Sequence, residues 1–98
     1  MHIDLRQLRH FIALAEQRSF VAAAATVNLS QSAFSRSIQA LEHSAGCQLV
    51  DRGRKDLAPT KQGQVLLEHA RRLVSGAQQL ANEISQFNGL EAGELRFG

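Results

Sequence analysis

The stretch from Ser19 to Gly46 constrains the fold most, because it has the pattern of two short helices joined by a tight turn. Ser19 and Ser30 each precede a helical pattern and are suited to cap it, since a serine oxygen can accept from a first-turn N–H. Asn28 tolerates the left-handed backbone conformation that a sharp turn requires. Apolar residues at helical spacing predict the two inward faces. They are Phe20, Ala23, Ala24 and Val27, then Ala33, Phe34, Ile38, Leu41 and Ala45.

The outward face of the second helix carries short polar groups, two amides and a guanidinium. A face selected only for solubility would more often carry Glu and Lys. Gln and Arg side chains instead match the bidentate hydrogen-bond patterns of adenine and guanine edges in the major groove. Two helices, a tight turn and such a polar second helix form a helix-turn-helix arrangement. We call this set the base-facing stripe: Gln31, Ser32, Ser35, Arg36 and Gln39.

Length and composition limit the choices further. A chain of 98 residues suffices for one small domain and an extended element. The net charge of +2 is too modest to identify a nucleic-acid binder by itself. The single cysteine, Cys47, excludes an intrachain disulfide and fits a reducing cytosol. With no signal-peptide pattern and no apolar run of membrane-spanning length, the sequence predicts a cytoplasmic protein.

The sequence offers no pattern for catalysis or for a cofactor. It has no paired carboxylates in a shared context, no glycine-rich phosphate loop and no activated nucleophile. The four histidines have no metal-ligand spacing with Cys47. We therefore predict neither an enzyme, nor a metal site, nor a cofactor.

A further helix precedes the central stretch and begins after Asp4, a suitable cap. Leu5, Leu8, Ile12 and Ala15 recur on one face, and Phe11 and Leu14 broaden it, which predicts packing against the back of the helix-turn-helix. The arginines between them are interpreted as a solvated face. They are Arg6, Arg9 and Arg18.

After Gly46 the helical period is replaced by short alternation around a turn-like segment, residues 51–56. This pattern predicts two short strands and a loop, the wing of a winged helix. Arg52, Arg54 and Lys55 are either plain loop charges or, beside a helix that contacts bases, contacts to phosphate or the minor groove. We favour the second interpretation.

A long helical pattern follows Pro59, with Thr60 suited to cap it. Apolar residues step by four and three, which is a sustained heptad pattern. A small domain can cover only the first two turns of such a stripe, so a partner helix is implied, most simply from a second copy. Asn88-Gly89 is predicted to end the helix. We call these positions the seam: Leu66, Ala70, Leu73, Ala77, Leu80, Ile84 and Phe87.

Several runs of sequence are specific enough to indicate a family. The segments LSQSAFSRSIQALE, LVDRG and APTKQG, together with LRQLRHFIALAEQRSF, stand in the order found in one group of regulators. Over residues 3–98 the chain resembles the N-terminal DNA-binding domain of LysR-type transcriptional regulators, with its linker helix.

The resemblance implies a mainly α fold, in which three helices and a two-stranded wing are followed by a long dimerisation helix. It divides the chain into a winged helix-turn-helix at 1–59, a linker helix at 60–89 and, at 90–98, the start of an effector-binding domain that is otherwise absent. A homodimer, or a tetramer in the full-length parent, would bind a palindromic operator in double-stranded DNA through successive major grooves. A small-molecule effector would act only through the absent domain.

The resemblance also assigns roles to residues. The base-reading candidates are the base-facing stripe, with Gln39 the weakest of its members. The candidates for the DNA backbone or minor groove are Ser30, Arg52, Arg54 and Lys55. The alternative function is a helical protein-interaction module, in which the long helix is the working surface and the helix-turn-helix only a scaffold. A titration with duplex DNA separates the two.

Overall fold

The computed structural model describes residues 1–53 and 57–95. Within them the chain forms four helices and one two-stranded antiparallel sheet, which confirms the predicted winged helix-turn-helix and the long final helix. In the sheet, Val50 lies opposite Pro59 and Asp51 opposite Ala58. The elements are α1 (Leu5–Gln17), α2 (Phe20–Thr26), α3 (Gln31–Ala45), β1 (Val50–Asp51), β2 (Ala58–Pro59) and α4 (Lys61–Leu95).

Side-chain caps fix where the first three helices begin. The Arg6 N–H donates to Asp4 Oδ1 over 2.8 Å at the start of α1. Ser19 Oγ accepts from the N–H of Ala22, and Ser30 Oγ accepts from the N–H of Ala33, each over 3.1 Å. All three predicted caps are confirmed, and each satisfies a first-turn N–H that has no partner inside its helix.

Residues in the left-handed conformation follow the ends of α2 and α3. Asn28, in the turn between α2 and α3, has a φ of 60°. Gly46, with a φ of 75°, ends α3 and donates its N–H to the carbonyl of Glu42. The predicted turn and stop are confirmed. The tight turn brings the start of α3 across α2, so that one face of α3 is pressed into the domain and the other faces outward.

The core lies where α1, α2, α3 and the wing meet. Phe34, Ile38 and Leu41 of α3 are completely buried, as the helical spacing predicts. Ala23 and Ala24 are buried too, and their small side chains let α2 approach its neighbours closely. The other members of this core are Leu8, Phe11, Ala13, Leu14, Leu49, Val50 and Ala70.

The inward face of α1 is centred on Leu8, Phe11 and Leu14, all three predicted, and it leaves Leu5 to one side. Leu5 is 39% exposed, whereas His10, which was not predicted to be inside, is only 7% exposed. The reason is that α2, α3 and α4 together surround the side of α1 marked by Leu8, Phe11 and Leu14. His10 lies beside that side, where α3 supplies a hydrogen-bond partner for its ring.

The start of α4 is tied to the wing. Thr60 Oγ1 donates to the carbonyl of Gln48 over 2.7 Å and accepts from the N–H of Gly63 over 3.0 Å, which confirms the predicted cap. A Cβ on Gly63 would overlap the backbone carbonyl of Leu49 and crowd Pro59. Glycine is therefore required at this position by close approach of two backbones, a requirement that local sequence pattern does not reveal.

α4 packs along α1 for longer than the predicted two turns. Ala70 is buried, Val74 packs against the core, and Arg71 lies 3.4 Å from Glu16 of α1. The contact is extended because α1 is thirteen residues long and runs beside α4, and because alanine at position 70 permits close approach. Beyond this contact the side chains of residues 80–89 are exposed.

The helix α4 also continues past its predicted end and reaches Leu95. The prediction that Asn88-Gly89 ends it is wrong, because neither residue has the positive φ that a left-handed stop requires. A glycine inside a helix costs about 1 kcal/mol but does not end it. The segment 90–98, which the resemblance assigns to the start of a further domain, continues α4 as far as Leu95, and residues 96–98 lie outside the described residues. No helix within the described ranges is long and apolar enough to cross a membrane.

Candidate nucleic-acid interface

The base-facing stripe lies on the surface of α3, which we call the recognition helix. Gln31, Ser32, Arg36 and Gln39 are exposed, and Ser35 is partly exposed. The structure therefore brings all five predicted residues to one accessible face. They are held there because Phe34, Ile38 and Leu41 fix the opposite face in the core, which sets the rotation of the helix about its axis.

Arg36 is the positively charged residue of the stripe, and no carboxylate in the described part of the chain pairs with it. Within residues 1–53 and 57–89 no carboxylate lies within 4.0 Å of its guanidinium. Five N–H donors in a planar fork suit a bidentate contact to a guanine edge. At the start of the helix, Ser30 Oγ accepts from the N–H of Ala33 and lies 3.4 Å from Ser32 Oγ, where either hydroxyl can donate.

Arg52 follows strand β1 of the wing and is held by two contacts. Its Nη1 lies 3.4 Å from Glu42 Oε1, and its guanidinium carbon lies 5.4 Å from the centre of the Phe20 ring. The side chain remains 39% exposed. Arg54 and Lys55, which were predicted to contact the DNA backbone, lie outside the described residues.

Glu42 joins the end of the recognition helix to the wing. Its Oε2 accepts from the N–H groups of Leu49 and Val50 over 2.8 and 3.2 Å, while its Oε1 faces Arg52. The carboxylate therefore replaces backbone hydrogen bonds that the short strand β1 leaves unmade. Sequence reasoning missed this role because the partners are seven to ten residues away and no local pattern marks them.

His10 is a second connection that sequence reasoning missed. Its Nδ1 shares a hydrogen bond of 2.6 Å with Ser37 Oγ, and its ring lies 5.7 Å from that of Phe34. Burial lowers the pKa of His10 below its ordinary value; Arg6 lowers it further, while Asp4 opposes the shift. The imidazole is thus uncharged near pH 7 and ties α1 to the recognition helix as a neutral group.

Two shallow concavities flank the recognition helix. The one on the wing flank is lined by Phe20 of α2, Arg52, and the stripe residues Gln31, Ser32 and Ser35. The one on the opposite side, the α1 flank, lies between the N-terminal half of α1 and the start of α3. It is lined by Asp4, Arg6, Gln7, His10, Leu29, Ala33, Arg36 and Ser37.

The seam divides into a covered and an uncovered part. Ala70 is buried, and Leu66 and Ala77 are partly buried. Leu73, Leu80, Ile84 and Phe87 are exposed, the last two by 51% and 68%. An apolar groove also runs between the N-terminal segment and α4, where Met1 and Ile3 face Val65 and Leu73.

Comparison with known proteins agrees with this arrangement. The family model for the bacterial regulatory helix-turn-helix protein of the lysR family matches residues 5–64. The SDS degradation transcriptional activation protein of a Pseudomonas species is 57% identical over 95 residues, which are 97% of this chain and 31% of that protein.

Solved structures on DNA are also similar. The DNA-binding domain of BenM in complex with catB site 1 DNA matches with a TM-score of 0.84 and 34% identity, over 88% of this chain and 96% of that one. BenM is a protein of Acinetobacter baylyi. DarR of Vibrio fischeri, in complex with DNA, matches with a TM-score of 0.86 and 36% identity, over 92% of this chain and 31% of that one.

The chain belongs to the LysR family of bacterial regulators and forms the winged helix-turn-helix DNA-binding domain of that family. The family and the fold class predicted from the motifs are confirmed, and so is sequence-specific DNA binding by a transcription regulator. The chain spans about a third of the length of the curated relatives it matches. The roles of individual residues stay predictions.

Proposed function

We propose that this chain binds operator DNA as a homodimer and that its recognition helix lies in the major groove. The observation that carries the proposal is the exposed base-facing stripe on a helix whose opposite face is completely buried; its Arg36 has no carboxylate partner among the described side chains. Because bacterial chromosomal DNA would be the ligand, we place the site of action in the cytoplasm. The relatives named above are regulators, and a regulatory role without catalysis is the function we propose here.

The stripe supplies different contacts along the groove. Arg36 is suited to the O6 and N7 acceptors of guanine, and the amides of Gln31 and Gln39 to the N6 and N7 groups of adenine. Ser32 and Ser35 are short hydroxyl donors and acceptors that fit closer to the base edges. Ser30 and Arg52 lie beside the stripe, and we assign them to the DNA backbone or the minor groove together with Arg54 and Lys55.

Dimerisation through the seam would place two recognition helices on one duplex. Support comes from the exposed Leu73, Leu80, Ile84 and Phe87, whose stripe finds no cover in the described part of the chain. Two-fold pairing would present the helices to successive major grooves of a palindromic operator. We therefore divide the chain into a reading unit at 1–59 and a linker helix from residue 60.

We assign assembly beyond the dimer, and regulation by an effector, to parts of a parent protein that lie outside this chain. The curated relatives are about three times as long as this chain, which leaves room for further domains in a parent protein of that length. We propose that a small-molecule effector, and any assembly into tetramers, would act through such a domain.

Selection of bound duplexes from a random pool, followed by a salt titration on the selected duplex, tests the proposal. We expect an interrupted palindrome as the consensus. We also expect the logarithm of the binding constant to fall linearly with the logarithm of salt concentration, since phosphate contacts release counterions. A flat salt response, or no consensus, would contradict DNA reading and favour the protein-interaction module instead.

A further inference from the structure

We propose that Arg6 binds a phosphodiester of the DNA backbone on the α1 flank, across the recognition helix from the wing. The inference rests on the proposed docking of α3 in the major groove. It assigns a function to a residue whose sequence pattern indicates only a solvated face. It also predicts that each recognition helix is held between two rows of phosphates by two different arginines.

The position of Arg6 is the first argument. It lines the concavity of the α1 flank, and Arg36 of the recognition helix lines the same concavity. At 3.6 residues per turn, Gln31, Ser32 and Ser35 fall on one side of the outward direction of α3, and Ala33, Arg36 and Ser37 on the other. The first group shares its concavity with Arg52, and the second shares its concavity with Arg6. The two arginines therefore stand on opposite flanks of one helix.

The dimensions of DNA make both flanks relevant. The major groove of B-DNA is about 12 Å wide, and an α-helix with its side chains is about 10–12 Å across. A helix docked there meets the phosphate rows of both strands. A cation on only one flank would leave the tilt of the helix poorly determined, whereas one on each flank fixes it from both sides.

The charges on the α1 flank favour an anion. Arg6 and Arg36 are both exposed, and neither has a carboxylate within 4.0 Å among residues 1–53 and 57–89. By contrast, Arg52, Arg71 and Arg72 each face a carboxylate.

Asp4 contributes the opposing charge on this flank. Its Oδ1 accepts from the backbone N–H of Arg6 as the cap of α1, so the carboxylate is engaged with the backbone. Among the described side chains, two guanidinium groups without a carboxylate partner outweigh this one engaged carboxylate.

Neighbouring groups hold Arg6 at a constant distance from the recognition helix. His10 lies one turn after Arg6 on α1, and its 2.6 Å hydrogen bond to Ser37 joins the two helices at this concavity. The amide oxygen of Gln7 is buried there without a hydrogen-bond partner among the described residues. This oxygen accepts, as phosphate oxygens do, so it cannot bind phosphate directly and leaves the anion to Arg6.

Arg6→Gln with Arg9→Gln as matched control tests the proposal on the selected duplex and on a random one. Both variants remove one positive charge from α1, but Arg9 does not line the concavity. We expect Arg6→Gln to weaken binding roughly three- to tenfold on both duplexes and to reduce the salt slope by about one per subunit. Arg9→Gln should change the slope by less than half of that. Equal effects of the two variants would overturn the assignment.

Neutral methylphosphonates placed singly along the selected duplex locate the contact. For the wild-type chain we expect sensitive positions on both sides of each major groove. At least one sensitive position on one side should disappear in Arg6→Gln, and at least one on the other side in Arg52→Gln. If Arg6→Gln keeps every sensitive position of the wild type, the α1 flank does not touch phosphate. If the wild-type chain selects no duplex at all, the proposed function fails instead, so the two failures are distinguishable.

Thermal unfolding of both variants completes the test. The Arg6 side chain is exposed, and its structural contact is a backbone N–H, which glutamine retains. We expect melting temperatures within about 2 °C of the wild type. If Arg6→Gln melts much lower while Arg9→Gln does not, the loss of DNA binding reflects folding and the assignment is withdrawn.

Discussion

The winged unit and the distal half of α4 use similar apolar residues with opposite results. In residues 1–59 phenylalanine, leucine and isoleucine side chains are packed into a core that three helices and a wing enclose. From Leu80 onward the same residue types lie on a helix that nothing in the described chain covers. The first region is covered by contacts within the described chain, including those from the first part of α4, whereas the second needs a partner to bury its stripe. The comparison separates folding from assembly within one short chain.

The largest expected effect contrasts two phenylalanines. Phe34→Ala should lower the free energy of unfolding by about 3–5 kcal/mol, because Phe34 is completely buried and its removal leaves a cavity. Phe87→Ala, at a residue 68% exposed in one copy, should change the unfolding of the winged unit by less than about 0.5 kcal/mol. Urea denaturation of both variants measures this. If Phe87→Ala loses much stability at concentrations where the chain is monomeric, Phe87 contributes to the fold of a single copy, contrary to this account.

A pair of glycines sharpens the same contrast. Gly63→Ala should destabilise the chain by about 3 kcal/mol or more, since its Cβ would overlap the Leu49 carbonyl and push α4 away from the wing. Gly76→Ala should stabilise α4 by about 0.5–1 kcal/mol, because no atom would meet its Cβ. Thermal unfolding followed by circular dichroism would show opposite signs. The same sign for both would mean that Gly63 is not a point of close backbone approach.

A charged substitution in the seam should prevent dimerisation without unfolding the winged unit. Leu80→Asp should leave the winged unit folded and abolish dimerisation, since burial of one leucine contributes roughly 1.5–3 kcal/mol per copy and a carboxylate adds a desolvation cost. Affinity for a two-site duplex should then fall sharply, because linked half-sites bind with a high effective concentration.

Asn82→Asp is the matched control for Leu80→Asp. It adds a carboxylate to the same helix at an exposed position away from the seam. Sedimentation equilibrium should find it dimeric. A wild-type monomer at micromolar concentration, or a dimeric Leu80→Asp, would show that the seam serves another contact.

The smallest expected effect is a pH dependence from His10. Its lowered pKa means that the unfolded chain binds more protons between pH 6.5 and the folded pKa, so stability should fall as the pH falls below 6.5. Well above pH 6.5 the ring is neutral in both states and contributes no slope. Urea denaturation between pH 7.5 and 5.5 measures how the free energy of unfolding depends on pH. His10→Gln should weaken this dependence, whereas His69→Gln, on the exposed surface of α4, should retain it. Identical slopes in the two variants would contradict a buried neutral His10.

Local signals predicted much of this fold. Asp4, Ser19, Ser30 and Thr60 each cap a helix within three residues of themselves, and Gly46 stops one in the same local way. Such contacts depend on neighbours in the sequence, so patterns of residue type are sufficient to find them.

Features that depend on distant parts of the chain were missed. Glu42 binds the wing, His10 binds Ser37, and Gly63 meets the Leu49 backbone, all through contacts that only the tertiary structure creates. The stop predicted at Asn88-Gly89 failed because both residue types tolerate the left-handed conformation that ends a helix but do not impose it. The stripe on α3 was predictable because the core fixes its rotation, whereas the α1 flank was not, because it is formed by two helices together.

The central claim is that the stripe on α3 reads base sequence. The measurement that tests it most directly compares the affinity of wild-type chain and Arg36→Ala for the selected duplex, for each of its single-base variants and for random DNA at one fixed salt concentration. We predict that Arg36→Ala costs about 1–3 kcal/mol on the selected duplex and removes discrimination at one base pair in each half-site, with little effect on random DNA. An equal loss on selected and random duplexes, with every base preference retained, would contradict the claim and make Arg36 a phosphate anchor.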